Sequence, residues 1–341
     1  MKRAGLILPG LVLGLLLAFS WAAPFLAPYP PERQFRDFAR MQPTVPLLRG
    51  PQGWTLRPHI HDYRPPSRPG QPYPRLSRLI PVRFWVDSEP YRWMGMTWRT
   101  RFFGLDDPQR QIFLLGTDQL GRDVFSRLLH GGWVSLTIGL AGVLAAALVG
   151  IAAGSLAGYV KGAADVIVMR LADVIFALPA LFLIIGLRAL YPAQLSAGAG
   201  WWMLVTAFAL VGWATLARVI RGQVLSLNSR EFVLYARACG ASHWWILTRH
   251  ILPFTLNTLL VQVTVMLPAF IILEATLSFL GVGVQPPQPS WGNLLADASN
   301  LAVMSSQPQR LMPGVLLLVT VLCLTLIADR IKGISKQRRL I

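Results

Sequence analysis

An all-α membrane protein with six transmembrane helices is the fold class this sequence predicts, and three observations predict it. Only 14% of the 341 residues are charged against 54% hydrophobic, with a mean hydropathy of +0.49; soluble globular chains carry about 25% charged residues. The apolar residues gather in six runs near the length of a crossing, about 20 residues over about 30 Å of hydrocarbon. The lysines and arginines of the short links fall where six crossings would put them all on one side.

The first run is Leu6–Ala27. Lys2 and Arg3 ahead of it and two alanines before Pro24 imitate a secretory signal. The run exceeds a signal's usual apolar core, and Pro24 sits badly beside a cleavage site, so a retained anchor over residues 1–28 is expected. The second run, Trp133–Val160, spaces Gly142, Ala146, Gly150, Gly154 and Gly158 by four. Such a face lets another helix approach closely, either as fixed packing or as a sliding surface.

The third run, Val166–Leu190, holds Arg170 and Asp173, which can pair at i,i+3, and Arg188. Pro179 predicts a kink in it. The fourth is Trp201–Ala217, with Trp201 and Trp202 suited to an interfacial belt. The fifth, Thr255–Val284, has Glu274 as its only charge. Intramembrane acids face a bundle interior or a water-filled path, so Glu274 is either a pathway residue or a structural carboxylate. The sixth is Leu311–Ala328.

Orientation follows from the basic residues. Lys2 and Arg3, Lys161, the group Arg218, Arg221, Arg230, Arg237 and Arg249, and the group Arg330, Lys332, Lys336, Arg338 and Arg339 share one side. Both termini are therefore expected to be cytoplasmic. Residues 29–130 hold 16 arginines on the other side, which the rule permits because long segments translocate largely regardless of charge.

Residues 29–115 are rich in proline and arginine, and read as a partly ordered external insertion. Within it PVRFWVDSEPYRWMG (Pro81–Gly95) predicts a short β-hairpin turning at DSEP, with Val82, Phe84 and Val86 on one face. The insertion suits either a docking surface for an external partner or a decoration without function.

The basic stretch REFVLYARACGASHWWILTRHILPF (Arg230–Phe254) lies between two apolar runs. Arg230–Cys239 suits a helix, and Gly240 can close it with a positive φ. Ser242 fits the N-cap of a second short helix, and Pro253 marks entry to the next span. Small residues at Ala236 and Gly240, framed by Arg230 and Arg237, leave two readings open. One is a turn seated in a partner's cleft; the other is a basic helix lying in the membrane interface.

Other function classes lack their residues. The net charge is +17, but no basic stripe interleaves with aromatics, so nucleic acid is not expected as a partner. Cys239 and Cys323 form no framework. His59, His61 and Asp62 are too few for a metal centre. Asp118 and Asp123 suit turn caps better than a cation pair. An ion-coupled secondary transporter or channel stands as the alternative, with Glu274 as its midplane polar group but without a convincing internal repeat, whereas a membrane enzyme needs a cluster of catalytic side chains. No G-x-x-x-x-G-K-[ST] phosphate loop occurs, so the sequence shows no ATPase site.

Leu234, Tyr235 and Ala236, then Gly240, then His250, Leu252 and Pro253 resemble the EAA loop of ABC importer permeases (EAA, three residues, Gly, nine residues, I-x-L-P). Leu234 stands for the Glu and His250 for the Ile. GTDQLGRDVFSR (Gly116–Arg127) resembles the GTDxxGRDxxSR signature of the oligopeptide and dipeptide importer permeases. EATLSFLGVGVQPPQPSWGNLL (Glu274–Leu295) and RLADVIFALPALFLII (Arg170–Ile185) are similar to that family's fifth-span exit and third span. The resemblance covers about residues 116–341 and the first span, and is to the C-type subunit of the permease pair.

The resemblance implies a permease core at 116–341 with a coupling loop at 221–253, where Glu231, Leu234, Tyr235, Ala236, Gly240, Ala241, Leu252 and Pro253 would meet an ATPase. Gly116, Thr117, Asp118, Gly121, Arg122 and Asp123 would be the signature before the second span. Glu274, Arg170 and Asp173 would be pathway or structural residues. The implied partners are a second permease, two ATPase subunits that hold the ATP and Mg, an external substrate-binding protein and membrane lipid. This chain would bind no cofactor or metal, and would sit in a bacterial inner membrane. Peptides are the implied substrate, with nickel chelates, opines and sugars as the family's other cargoes.

Overall fold

The computed structural model describes residues 4–50, 53–66, 71, 73–107, 109–192 and 196–338. In chain order its elements are α1 (Ala4–Trp21), α2 (Ala23–Leu26), β1 (Leu47–Gly50), β2 (Gly53–Tyr63), β3 (Arg75–Pro81), β4 (Arg83–Trp93), β5 (Met96–Gly104), α3 (Val124–Val160), α4 (Gly162–Ala177), α5 (Ala180–Ala189), α6 (Ala197–Asn228), α7 (Glu231–Ala238), α8 (His243–Trp245), α9 (Leu252–Phe279), α10 (Trp291–Ala298), α11 (Leu301–Ser306) and α12 (Met312–Arg338). They fall into two compact units. One comprises Met1–Leu13, Leu136–Leu277 and Leu318–Ile341, the other Gly14–Ser135 and Ser278–Leu317.

Among the described residues, four helices are long and apolar enough to cross a membrane: Val124–Val160, Gly198–Asn228, His243–Phe279 and Pro308–Gly333. A fifth crossing arises if α4 and α5 count as one, although the chain bends by 93° between them. Leu178 is extended (ψ 131°) and Pro179 caps α5; the residue before a proline is pushed out of the helical region. The expected kink is thus a full break. The first run is a shorter apolar helix over Leu6–Trp21.

The first unit is helical. The small-residue stripe of α3 faces α6: a Cβ on Gly154 would lie 2.5 Å from the Ala217 carbonyl, and one on Gly142 2.6 Å from the Phe208 ring. Phe208 in turn meets Phe270 of α9 at 4.9 Å between ring centroids. The stripe therefore serves close packing, the first of its two readings. Asp165 of α4 accepts from Arg221 of α6 at 2.6 Å. Asp173 accepts from Arg218 at 2.5 Å, whereas Arg170 reaches it only at 3.9 Å with 82% of its own side chain exposed. The expected i,i+3 pair is thus secondary to one between helices. Glu274 is buried within α9. On α12, Leu318, Leu322 and Leu326 are exposed at i,i+4 spacing, a face suited to lipid rather than water.

The second unit carries the β structure. β1–β2–β3 form an antiparallel sheet, and β4–β5 a separate antiparallel pair. Ile60, Ile80, Val82, Phe103 and Ile112 make its core, with Tyr29 and Phe125 packed against them. The hairpin expected to turn at 87–90 does not form there. That stretch runs inside β4, where the register shifts between Asp87 and Tyr91, and the turn comes at Met94 (φ 55°) and Gly95 (φ 78°). Two positive φ values match the twist of a tight hairpin; Pro90, with no N–H to give the ladder, is absorbed in the irregularity. Val82, Phe84 and Val86 do not share one buried face, since Val82 is buried and Phe84 is 49% exposed. Val82 lies between β3 and β4, so strand alternation does not run through it.

Candidate functional site

The basic stretch folds into a defined turn within the first unit. Glu231 opens α7 and Arg237 closes it, each sign matching the helix dipole. Gly240 N–H donates to the Arg237 carbonyl at 2.9 Å and Ala241 N–H to Ala236 at 3.0 Å, with Gly240 at φ 77°. This double bond pattern is the Schellman closure, which needs a left-handed residue at the glycine position. Ser242 Oγ then accepts from Trp245 N–H at 3.3 Å. Arg237 donates to the Asn228 side chain and lies 5.7 Å over the Tyr159 ring, while Tyr159 Oη and His243 Nδ1 are hydrogen-bonded at 2.9 Å.

Past the turn, the expected short second helix does not end at Pro253. The helix continues from His243 to Phe279 through a π-helical segment, Ile246–Ile251. Leu252 N–H reaches back five residues to Leu247. The widened turn relieves the clash a proline ring makes with the carbonyl four residues back, and it brings Trp245 and His250 into edge contact at 4.6 Å. Val233 is the buried anchor of α7, while Leu234 (50%), Tyr235 (70%) and Trp244 (74%) stand exposed. A Cβ on Gly240 would meet no atom within 4 Å. The turn leaves Leu234, Tyr235 and Trp244 exposed, with Arg230 and Arg237 at its edges.

The signature before α3 is a knot of backbone and charge in the second unit. Thr117 Oγ1 accepts from Met41 N–H at 2.8 Å and donates to the Phe38 carbonyl. Asp118 accepts from the N–H groups of Leu120 and Arg122 at 2.8 and 2.9 Å and from Arg122 Nε at 2.6 Å. Gly116 (φ 74°) and Gly121 (φ 76°) hold the turn open, with no room for a Cβ against the Met41 and Phe35 carbonyls. Asp123 caps α3, accepting from Ser126 N–H at 2.8 Å and Ser126 Oγ at 2.5 Å. Both aspartates are turn caps.

Behind the knot lies a charge cluster. Arg127 is fully buried, and its guanidinium reaches Asp118 at 3.8 Å and Asp297 at 3.9 Å. Arg310 donates to the Thr117 carbonyl at 2.6 Å. Among the described residues Arg127 makes no hydrogen bond through its guanidinium, and the Asp297 side chain is 41% exposed, so the Arg127 contacts are long-range charge contacts rather than closed ion pairs. Burial pushes the Asp123 carboxyl up to about 7, against the pull of the Ser126 hydrogen bonds. Burial also raises Asp297, and Arg127 and Arg122 draw it back.

Residues 150–341 match the family model described as binding-protein-dependent transport system inner membrane component. The chain belongs to that family. A putative peptide permease protein of Brucella suis biovar 1 is 38% identical to this permease over 224 residues, 65% of this chain and 72% of that one. A glutathione transport system permease protein of Pectobacterium atrosepticum is 39% identical over 260 residues, 74% of this chain and 81% of that one. Among solved structures, the MetNI methionine ABC transporter in inward-facing conformations gives a TM-score of 0.49 at 18% identity, covering 62% of this chain and 97% of that one.

The residues singled out in the permease sequence fall in separate places. Glu231, Leu234, Tyr235, Ala236, Gly240 and Ala241 form the projecting turn, while Leu252 and Pro253 lie inside the long helix beyond it. Gly116, Thr117, Asp118, Gly121, Arg122 and Asp123 come together in the knot. His59, His61 and Asp62 do not gather around an ion position: His59 Nδ1 lies 2.8 Å from the Arg57 carbonyl, and Asp62 pairs with Arg110 at 2.5 Å. No group of three metal-ligating side chains occurs among the described residues. Sequence reasoning missed Arg127, Asp297 and Arg310. Arg127 ends the quoted signature and was there to be read; the other two had no local signal.

Proposed function

We propose that this permease is the membrane subunit of an ATP-driven importer of short peptides. It forms half of the translocation path with a second permease, crosses the membrane six times with both termini cytoplasmic, and turns residues 29–115 outward to an external binding protein. ATP and Mg reside on two separate ATPase subunits. The α7–Gly240 turn seats in a groove of one of them.

The observation that carries this reading is the uncovered turn. Exposed apolar patches rimmed by charge mark protein contacts, and this one is closed by two backbone hydrogen bonds. Its Schellman closure fixes α7 to a helix running from His243 to Phe279. At 1.5 Å per residue that helix is about 55 Å long, more than a bilayer core. A closure of the ATPase pair that displaces the turn thereby moves the end of a membrane-crossing element. The peptide class is supported by the names of the relatives, a peptide permease and a glutathione permease.

The test is peptide uptake by the assembled system in proteoliposomes. Uptake is expected to require ATP inside the cytoplasmic compartment and to survive a protonophore. Uptake that collapses with the proton gradient and ignores ATP would replace this reading with an ion-coupled carrier centred on Glu274.

A further inference from the structure

The second unit contains a cavity of about 670 Å³ between the β4–β5 pair and the chain segments flanking it. Small-ligand sites occupy about 300–1,000 Å³. Arg101 of β5 lines this cavity and is only 5% exposed. A buried guanidinium normally has a carboxylate partner. Arg101 has none within 4 Å among the described residues; the ion pairs nearby are Arg33–Glu89, Arg83–Asp106 and Arg110–Asp107. Its NH1 group donates to the Ala27 carbonyl at 2.5 Å, and the ring of Tyr91 covers it at 4.9 Å. A guanidinium has five N–H donors; the others meet no protein acceptor among the described residues. Burial lowers the affinity of Arg101 for its proton, and Tyr91 and Glu89 draw it back up.

The rest of the lining narrows the ligand. Phe84 and Phe103 pair across β4 and β5, and Val86 pairs with Arg101, so the strands present apolar groups beside the guanidinium. Trp85 joins the wall at φ 62°, a conformation that is an outlier for a bulky residue. Of the carboxylates that line the same cavity, Glu89 and Asp106 are paired with Arg33 and Arg83, which leaves Asp87 to receive an ammonium group. An inorganic anion would leave the aromatic wall and the Asp87 carboxylate unused. A molecule with a carboxylate, an apolar body and an ammonium group uses all three.

We propose that this cavity is a binding site for short peptides, with Arg101 receiving the C-terminal carboxylate. The site lies within the second unit of the permease. The assignment rests on the peptide reading above, and it gives the segment at 29–115 a role in retaining substrate.

The experiment uses the full chain with its partner subunits in nanodiscs, without binding protein. A tripeptide with a central phenylalanine and its C-terminal amide are titrated in, with tryptophan fluorescence and calorimetry as readouts. The free acid is expected to bind roughly tenfold or more tightly than the amide, since a charge-assisted bond is lost in the amide. Arg101→Gln, whose amide retains a donor for the Ala27 carbonyl, is expected to erase that difference. Phe84→Ala, at a half-exposed ring, weakens both peptides and keeps the difference; it carries the test should Arg101→Gln fail to fold. Equal binding of acid and amide, or an acid preference that persists in Arg101→Gln, overturns the site. Uptake of the same tripeptide in proteoliposomes is scored separately. Transport without an acid preference removes this pocket and leaves the importer reading standing; absence of both transport and binding removes the peptide reading itself.

Discussion

Gly240 stands at φ 77° in a turn where an added Cβ would touch nothing in the chain. A left-handed backbone costs an ordinary residue about 1–2 kcal/mol, and asparagine tolerates it better than any β-branched residue. Gly240→Val is therefore expected to leave membrane insertion intact and to cut peptide uptake at least several-fold, while Gly240→Asn keeps most of it. Full uptake by the valine variant would detach this turn from coupling. Asp123 makes a second prediction at the same scale. Its folded carboxyl titrates at about 7, above the usual value near 3.9. The folded chain thus holds that proton more tightly than the unfolded one. The stabilisation is complete below about pH 4, is lost as pH rises to about 7, and changes no further above that. In detergent, the apparent unfolding temperature of the wild type is expected to fall over this window more steeply than that of Asp123→Asn. Parallel curves would show that Asp123 titrates normally.

Between helices, the decisive contact is the stripe of α3 against α6. A methyl on Gly154 must push into the Ala217 carbonyl at 2.5 Å, whereas one on Gly186 in α5 meets nothing within 4 Å. Overpacking costs roughly 1–3 kcal/mol, and a compatible glycine-to-alanine change adds stability instead. Gly154→Ala is expected to lower the unfolding temperature and Gly186→Ala to hold or raise it; equal responses would mean that α3 and α6 separate without cost. The stripe was legible because four-residue spacing is a local property of one helix. The Gly240 turn was legible for the same reason, its cap and closure lying within a few residues of each other. The β4–β5 turn was misplaced because Asp, Ser and Pro at 87–90 carry turn chemistry that the strand absorbs as an irregular register, while Met94–Gly95 carries only its glycine as a signal. β2 went unread although Trp54, Leu56 and Ile60 alternate with Thr55, Arg57, His59 and His61, because Pro58 interrupts the run and a proline inside a run argues against a strand.

At the scale of the whole molecule, the four long apolar helices and the bent α4–α5 pair were readable because lipid imposes a length and a composition on anything that crosses it. The charge cluster was not, since Arg122 meets Asp297 across 175 residues and Arg310 meets Thr117 across 193, and no local pattern encodes such pairings. Topology itself is testable with the chain's own thiols. Cys239 is exposed beside Gly240, and Cys323 is buried in α12. If six crossings place the turn in the cytoplasm, a membrane-impermeant maleimide is expected to label Cys239 in inverted vesicles and to miss it in intact spheroplasts. Cys323, buried among apolar groups, stays unlabelled in both until the chain is unfolded. Because Cys239 directly precedes Gly240, an ATPase seated on the turn is expected to slow its labelling, and stripping the ATPase from the vesicles to restore the rate. Labelling of Cys239 from the outside would invert the topology and with it the assignment of every segment on either face. Labelling from the inside at one rate with and without ATPase would keep the topology and move the docking site elsewhere.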